Sequence, residues 1–446
     1  MKISKKSYGN LIPIEFLENN LSLWIYILVC LAPVVFFSYE KLFGEVYKLI
    51  SLLSLIGLIT QKKKILFNWK ENKASLMIFL IYPLTIFITQ LFRWAWNFHE
   101  YLDSLRFLFA IPILIYLSEK KIDFTKILEI VLPISLFLSL ITTKYFFLDT
   151  QYGTNRFTDL FLHPVYYGEI IISMSLILLS TFFLSPYRYS FFSILKVIGI
   201  LVGFYISIKT ESRTGWINVL IIPMILLWLN RRSVKQYFFF ITPVFILAIV
   251  IILFEFNHDV SSRLIELYNE IRSYPWSGGI APETSVGLRI TFYRIGWFLI
   301  CHENWYGWGI KGFGHILSNP ELLAFSSKYT LQYVYLTHFH NQLLTLLVWY
   351  GIFGLIIYLI CFIVPLVQSL RIIEKIKHDF LIRKNATILI IFLITQIVSG
   401  FSDMVILFKY MIMFYSFMMA GLLAPLTSNN IKEQINQSTL NTKIKI

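Results

Sequence analysis

Two histidines near residue 340 are the side chains best suited to accept a proton at neutral pH. Residues 337–341 read THFHN, and GIFG follows at 351–354 within an apolar stretch. We expect His340 in the first turn of a membrane-spanning helix capped by Thr337, where the positive helix dipole end favours the neutral imidazole. A neutral imidazole can act as general base on a hydroxyl group. The alternative is an interfacial histidine that bonds a loop carbonyl.

His338 precedes His340 by two residues and would point elsewhere on such a helix. It is therefore the weaker candidate for chemistry, and we keep it as a substrate-binding candidate. Asp403 lies near the outer end of the last predicted span. A carboxylate at that place is a plausible pairing partner, but the sequence gives it no firm role.

Arg213 is the first of the cations expected on the outer side of the membrane. It lies in the segment KTESRTGW at 209–216, where Ser212 or Thr214 can cap the next helix. Free N–H groups at a helix N-terminus beside a guanidinium are suited to phosphate. The alternative is an interfacial arginine that reaches lipid headgroups or pairs with Glu211.

Three further arginines are candidates for substrate binding. Arg289 and Arg294 lie five residues apart on a predicted amphipathic helix at 287–301, and for each the alternatives are binding of a phosphate and simple contact with anionic lipid. Arg156 precedes His163 and Pro164 in another outer loop, where it can contact a glycan or phosphate or have only a surface role.

The composition is that of a membrane protein. Of 446 residues, 57% are hydrophobic and only 14% are charged, too few to cover the surface of a soluble domain of this length. The three cysteines have no metal-ligand spacing and predict no disulfide framework. The net charge of +14 lies mostly in short loops on one side of the membrane, so it orients the chain and indicates no nucleic-acid partner.

About twelve apolar stretches have the length of a membrane-spanning helix. The alternation of basic clusters predicts an all-α polytopic membrane protein with both termini in the cytoplasm. Spans 1–9 occupy residues 1–256, a structured outer loop 257–336, spans 10–12 residues 337–425, and a cytoplasmic tail 426–446. The stretches are centred near residues 29, 53, 83, 111, 137, 174, 200, 222, 246, 354, 393 and 415.

Glycines mark two further features. Gly351 and Gly354 are one helical turn apart, which favours close helix packing within span ten. Residues 306–315 read YGWGIKGFGH, which resembles a phosphate-binding loop only superficially. A tight turn is the better interpretation.

In order along the chain, these motifs resemble the O-antigen ligase and polymerase superfamily of the bacterial envelope. The SRTGW element at 212–216, the GLR element at 287–289, the glycine turn and HN-x9-G-x-x-G at 340–354 carry the resemblance. In that family a glycan passes from an undecaprenyl-diphosphate carrier to an acceptor at the periplasmic face of the inner membrane, without metal or cofactor. The resemblance implies that Arg213 and Arg289 hold the diphosphate and that His340 deprotonates the acceptor. Asn341, from the same signature, joins the substrate-binding candidates.

Three functions are weighed on this basis. The His-Asn-x9-Gly-x-x-Gly spacing favours a ligase that transfers the glycan to lipid A–core oligosaccharide. The alternative is a polymerase whose acceptor is another carrier-linked repeat unit. A lipid-linked oligosaccharide transporter is disfavoured, because it predicts charges deep within the spans, whereas the notable charges here gather at the outer face.

Overall fold

The computed structural model describes residues 20–60, 67–146, 157, 163–185, 191–231, 258–302, 304–376, 379–406, 408–427 and 430–431. The elements in these ranges are helices, joined by turns. The α-helices are α1 Asn20–Ser38, α2 Glu40–Thr60, α3 Lys73–Arg93, α4 Phe98–Leu105, α5 Ala110–Glu119, α6 Phe124–Phe146, α7 Pro164–Phe183, α8 Phe191–Lys209, α9 Arg213–Leu229, α10 His258–Ser273, α11 Ser285–Cys301, α12 Pro320–Leu323, α13 Lys328–Leu336, α14 Gln342–Tyr350, α15 Ile352–Tyr358, α16 Val364–Lys375, α17 Phe380–Ser399 and α18 Lys409–Leu423.

Ten helical stretches in the described residues are long and apolar enough to cross a membrane. The shorter apolar stretch Gly215–Leu229 matches the predicted span near residue 222. The predicted span near 246 lies outside the described residues. The all-α polytopic fold is confirmed. The ten stretches are Asn20–Ser38, Lys41–Thr60, Lys73–Arg93, Phe98–Glu119, Phe124–Tyr145, Pro164–Phe183, Phe191–Lys209, Ile352–Lys375, Phe380–Ser399 and Lys409–Leu426.

The tenth predicted span begins later than the sequence suggested. The candidate span is Ile352–Lys375, and α14 is a separate helix in front of it. Gly351 divides the two helices with φ +57° and ψ −135°, a backbone conformation that only glycine adopts readily. The prediction of a continuous helix starting at His340 was therefore wrong. Gly351 ends one helix and does not pack inside another.

α14 lies across the ends of two spans. The amide of Gln342, at its start, donates to the carbonyl of Gly400 just after α17, at 2.7 Å. The Arg93 guanidinium at the end of α3 donates to the Trp349 carbonyl at 2.9 Å. The charge pattern predicts both of these span ends to be outside, so α14 connects them on that side.

The glycine turn at 306–309 satisfies carbonyls that the end of α14 leaves without partners. The amides of Trp308 and Gly309 donate to the carbonyls of Val348 and Trp349 at 2.9 and 2.8 Å. Gly307 and Gly309 have φ values of +77° and +80°. A side chain at Gly309 would overlap the Arg93 guanidinium. The tight-turn interpretation of this motif is thus confirmed.

The predicted amphipathic helix at 287–301 is present as α11, and the Thr284 hydroxyl caps it by accepting from the Gly287 amide. One face packs on α13 and α14: the Phe292 ring stacks on Tyr333, and Gly296 is in close contact with Leu344. The opposite face is exposed.

A buried ion cluster joins three spans at the ends predicted to be cytoplasmic. Glu129 of α6 contacts Lys196 of α8 at 2.6 Å and also pairs with Lys384 of α17. At least 85% of each side chain is removed from solvent. A buried carboxylate with two lysines is tolerated only as a unit, since losing one partner leaves an uncompensated charge.

Candidate functional site

The Asp403 carboxylate lies at the centre of a buried polar cluster in the turn between α17 and α18. Its Oδ1 accepts from the Tyr166 hydroxyl and from His338 Nε2, both at 2.6 Å, and from the Met404 amide at 2.9 Å. Its Oδ2 lies 3.4 Å from His340 Nδ1. Asp403 is only 2% exposed. Both histidines therefore face one carboxylate.

The two histidines precede the helix that was expected to hold them. His340 has φ +46°, and Asn341 is the N-cap of α14, its side chain accepting from the Leu344 amide at 2.9 Å. The Thr337 hydroxyl instead donates to the Tyr333 carbonyl at the end of α13. Thr337 is thus not the cap. Because the segment is not helical, His338 does not point away from His340 as predicted, and the centroids of the two rings lie 4.4 Å apart.

Hydrogen bonds join the histidine segment to the turn that carries Asp403. Gln342 Oε1 accepts from the amides of Val405 and Ile406 at 2.8 and 3.1 Å. The Asn341 side-chain amide donates to the Phe401 carbonyl at 3.4 Å. These bonds fix two distant parts of the chain against each other. Asn341, a predicted substrate-binding residue, is in this structure a capping and bridging residue.

Burial is the largest effect on the pKa of His340 and lowers it below its usual value. Electrostatic interactions with His338 and Arg289 lower the pKa of His340 further, whereas Asp403 opposes them. For Asp403, burial raises the pKa, but the hydrogen bond from His338 and the attraction of both imidazoles outweigh burial and hold that pKa well below its usual range. At neutral pH, His340 is neutral and Asp403 is ionised.

The ionised carboxylate determines the tautomer of His340. A carboxylate only accepts hydrogen bonds, so the nitrogen facing it carries the proton. His340 therefore has Nδ1–H toward Asp403 and a lone pair on Nε2. The Nδ1 atom is buried and its 3.4 Å contact is longer than a normal hydrogen bond, while 19% of the side chain remains accessible. Such contacts in a site without substrate are often long.

Arg289 is the predicted phosphate-binding cation that lies close to this cluster. Its charge lowers the pKa of both His340 and the neighbouring Tyr293, although burial leaves the Tyr293 pKa raised overall. The His340 ring stacks on Phe292 of the same helix at 5.5 Å. Helix α11 thus brings a cation and an aromatic ring close to His340.

Arg294 lies elsewhere, because its guanidinium packs 4.2 Å over the Phe325 ring and donates to the Tyr274 hydroxyl at 3.4 Å. These contacts join α11 to the residues around it, and a role of Arg294 in substrate binding stays a prediction. Arg156 lies outside the described residues.

Arg213 is the first residue of α9, as the sequence predicted. Its side chain is not among the groups that the structure describes. Ser212 occupies the N-cap position, but its hydroxyl bonds the Val165 carbonyl at 3.4 Å and caps no amide. Gly168 of α7 is in close contact with Thr210 and Ser212. The start of α9 is therefore packed against the helix that carries Tyr166.

His338, His340 and Asp403 are also a set of residues that could hold a metal ion. One ligand atom from each lies within 4.8 Å of the others, and two imidazoles with a carboxylate suit zinc-like ions. In this structure, however, protein donors occupy the carboxylate, with Tyr166 and His338 on the same oxygen. The metal-free site stays a prediction.

Two members of the cluster were missed or left without a role by the sequence reasoning. Asp403 was recognised only as a possible pairing partner, and Tyr166 was not considered. A carboxylate in the GFSDM segment at 400–404, between two apolar spans, was the available signal, because such a charge requires partners. No sequence signal indicated that Tyr166 is one of them.

Comparison with known families gives a match in the same region of the chain. The family model described as O-antigen ligase matches residues 198–359. This range contains Arg213, Arg289 and both histidines, and it ends before Asp403. A search of curated proteins gave no match.

Proposed function

The chain belongs to the O-antigen ligase superfamily, and from that premise we propose that it is an O-antigen ligase. It transfers a glycan from undecaprenyl diphosphate to lipid A–core oligosaccharide at the periplasmic face of the bacterial inner membrane. Family membership implies a glycosyltransferase-like membrane enzyme. The donor, the acceptor and the residue roles are our proposal.

The observation that carries the proposal is the pairing of His340 with Asp403. The buried carboxylate keeps a neutral imidazole with its lone pair on Nε2, which is the state that a general base needs. A positive φ at His340 is a strained conformation for a residue with a side chain, and such strain is characteristic of functional sites.

The proposed reaction is a single displacement at the anomeric carbon of the donor. His340 Nε2 takes the proton of an acceptor hydroxyl, and the oxygen of that hydroxyl forms the new glycosidic bond. The bond from the anomeric carbon to the phosphate oxygen breaks, and the lipid diphosphate leaves with the electron pair. Asp403 stabilises the imidazolium that forms. Arg213 and Arg289 bind the diphosphate, whose charge increases as it leaves.

We propose that two arginines make a divalent ion unnecessary for the leaving group. The purified protein is expected to keep its transfer activity in excess chelator and without ATP. Loss of activity that a divalent metal restores would contradict this part of the mechanism.

The test of function supplies purified lipid-linked glycan with each of two acceptors in parallel. A ligase forms product with rough lipopolysaccharide, whereas a polymerase extends a second lipid-linked repeat unit. In cells, loss of the gene should leave core exposed while lipid-linked polymer accumulates. A mutant that still caps core with a single repeat unit would contradict the ligase assignment and indicate the polymerase.

A further inference from the structure

One stripe along α11 carries two aromatic side chains beside Arg289, the predicted phosphate ligand. Arg289, Tyr293 and Trp297 follow one another at intervals of four residues, so they lie on one face of the helix. The opposite face is buried against α13 and α14. Trp297 is 67% exposed, so its indole is available for contact.

His340 lies opposite the middle of this stripe. Its ring stacks on Phe292, and its carbonyl oxygen lies 3.5 Å from the Tyr293 hydroxyl, which also donates to the Phe401 carbonyl. Arg289 is about one helical turn before Tyr293 and Trp297 about one turn after it, roughly 6 Å along the axis in each direction. The cation and the indole are thus at the two ends of a stripe whose middle residue contacts His340.

A single displacement requires the attacking oxygen and the leaving phosphate to be on opposite sides of the anomeric carbon. If Arg289 binds the phosphate, the acceptor hydroxyl reaches His340 from the other side, where Trp297 lies. We propose that Trp297 is the platform on which the acceptor sugar stacks, an inference that rests on the proposed function. The C–H face of a pyranose ring is apolar, and a flat indole offers it a large, rigid contact area.

The competing interpretation is an ordinary interfacial tryptophan that contacts lipid. Trp297→Leu separates the two, because leucine keeps an apolar surface for lipid but has no flat ring for a sugar. Trp297→Phe keeps a smaller ring and should show an intermediate effect. Trp276 is a matched control, since it is 63% exposed and lies in the turn that follows α10.

The experiment uses the full-length protein, a fixed concentration of lipid-linked glycan donor, and rough lipopolysaccharide as the titrated acceptor. For Trp297→Leu, we expect the KM for lipopolysaccharide to rise about tenfold, as expected for the loss of one aromatic contact. The KM for the donor and the kcat at saturating acceptor should stay close to wild type. Trp276→Leu should leave all three values unchanged.

An unchanged acceptor KM in Trp297→Leu would overturn the proposal, as would an equal rise in Trp276→Leu. A rise in the donor KM alone would also overturn it, because it would put the donor at the indole. The proposed general-base role of His340 is tested separately. If His340→Ala keeps its activity, that role is wrong, whatever the result for Trp297→Leu. An inactive His340→Ala with an unaffected Trp297→Leu defeats only the acceptor platform.

Discussion

At the scale of single residues, Asp403 sets the chemistry that is available to His340. Asp403→Asn replaces a group that only accepts hydrogen bonds by an amide that can also donate one, so the imidazole loses its preference for Nδ1–H. We expect glycan transfer to fall on the order of 10²-fold or more, approaching the loss in His340→Ala, with the protein still folded and inserted. Rates are measured with purified protein, and thermal unfolding reports whether the fold survives. Near-normal transfer by either variant would remove the proposed base.

The pH dependence of transfer reports the pKa of His340. Because the neutral imidazole is the active form and burial lowers its pKa, kcat/KM should fall as the pH decreases through a midpoint below the ordinary value of about 6.5.

Arg289→Gln removes a positive charge that lowers the same pKa, so its midpoint should move to higher pH, whatever its loss in maximal rate. Arg294→Gln, on the same helix but packed on Phe325, is the control and should keep the wild-type midpoint. A midpoint in Arg289→Gln that stays at the wild-type value would show that this arginine does not act on His340.

Residue types alone were enough to select His340 and Arg289, but not their partners. Imidazole and guanidinium have specific chemistry wherever they occur in an apolar chain. Asp403 lies 63 positions after His340 and is brought to it by hydrogen bonds of Gln342 and Asn341, and no local pattern encodes that contact. His338 was undervalued because its direction was derived from a helix that does not form there.

At the scale of helices, Gly351 determines where the tenth predicted span begins. A side chain at this position would overlap the Trp305 carbonyl, and its φ of +57° is unfavourable for any other residue. Gly351→Ala should therefore destabilise the protein by at least about 1–3 kcal/mol from backbone strain alone. Thermal unfolding of the purified variant checks this.

Gly278→Ala is the comparison, since Gly278 also has a positive φ, at +138°, but no neighbour within 4 Å of an added side chain. Equal melting temperatures for Gly351→Ala and the wild type would contradict the close contact between Gly351 and the Trp305 carbonyl.

The sequence predicted most helices at this scale because their apolar length is a property of each segment by itself. The prediction placed the start of the tenth span too early, because residues 342–350 are as hydrophobic as a membrane-spanning helix. At the end of α14, the Ile352 amide donates to the Trp305 carbonyl and the Trp308 amide donates to the Val348 carbonyl. Those are contacts between distant residues, which hydropathy does not contain.

At the scale of the whole molecule, the charge-derived topology can be tested with a native thiol. Cys301 is exposed at the end of α11, whereas Cys361 is buried within a candidate span. In a variant with Cys30→Ser and Cys361→Ser, a membrane-impermeant thiol reagent should label Cys301 from the periplasmic side of intact cells. A second variant lacks all three native cysteines and carries Lys375→Cys. It should be labelled only after the cells are lysed. The reverse pattern would invert the predicted orientation.

The position of Asp403 near the end of the chain has a consequence for biosynthesis. Both histidines and Arg289 leave the ribosome before Asp403. A chain that stops before residue 403 contains the family signature and the cations but lacks the carboxylate that faces His340. On the proposed mechanism, the protein therefore becomes active only when its last spans insert, and an unfinished chain cannot consume the glycan donor.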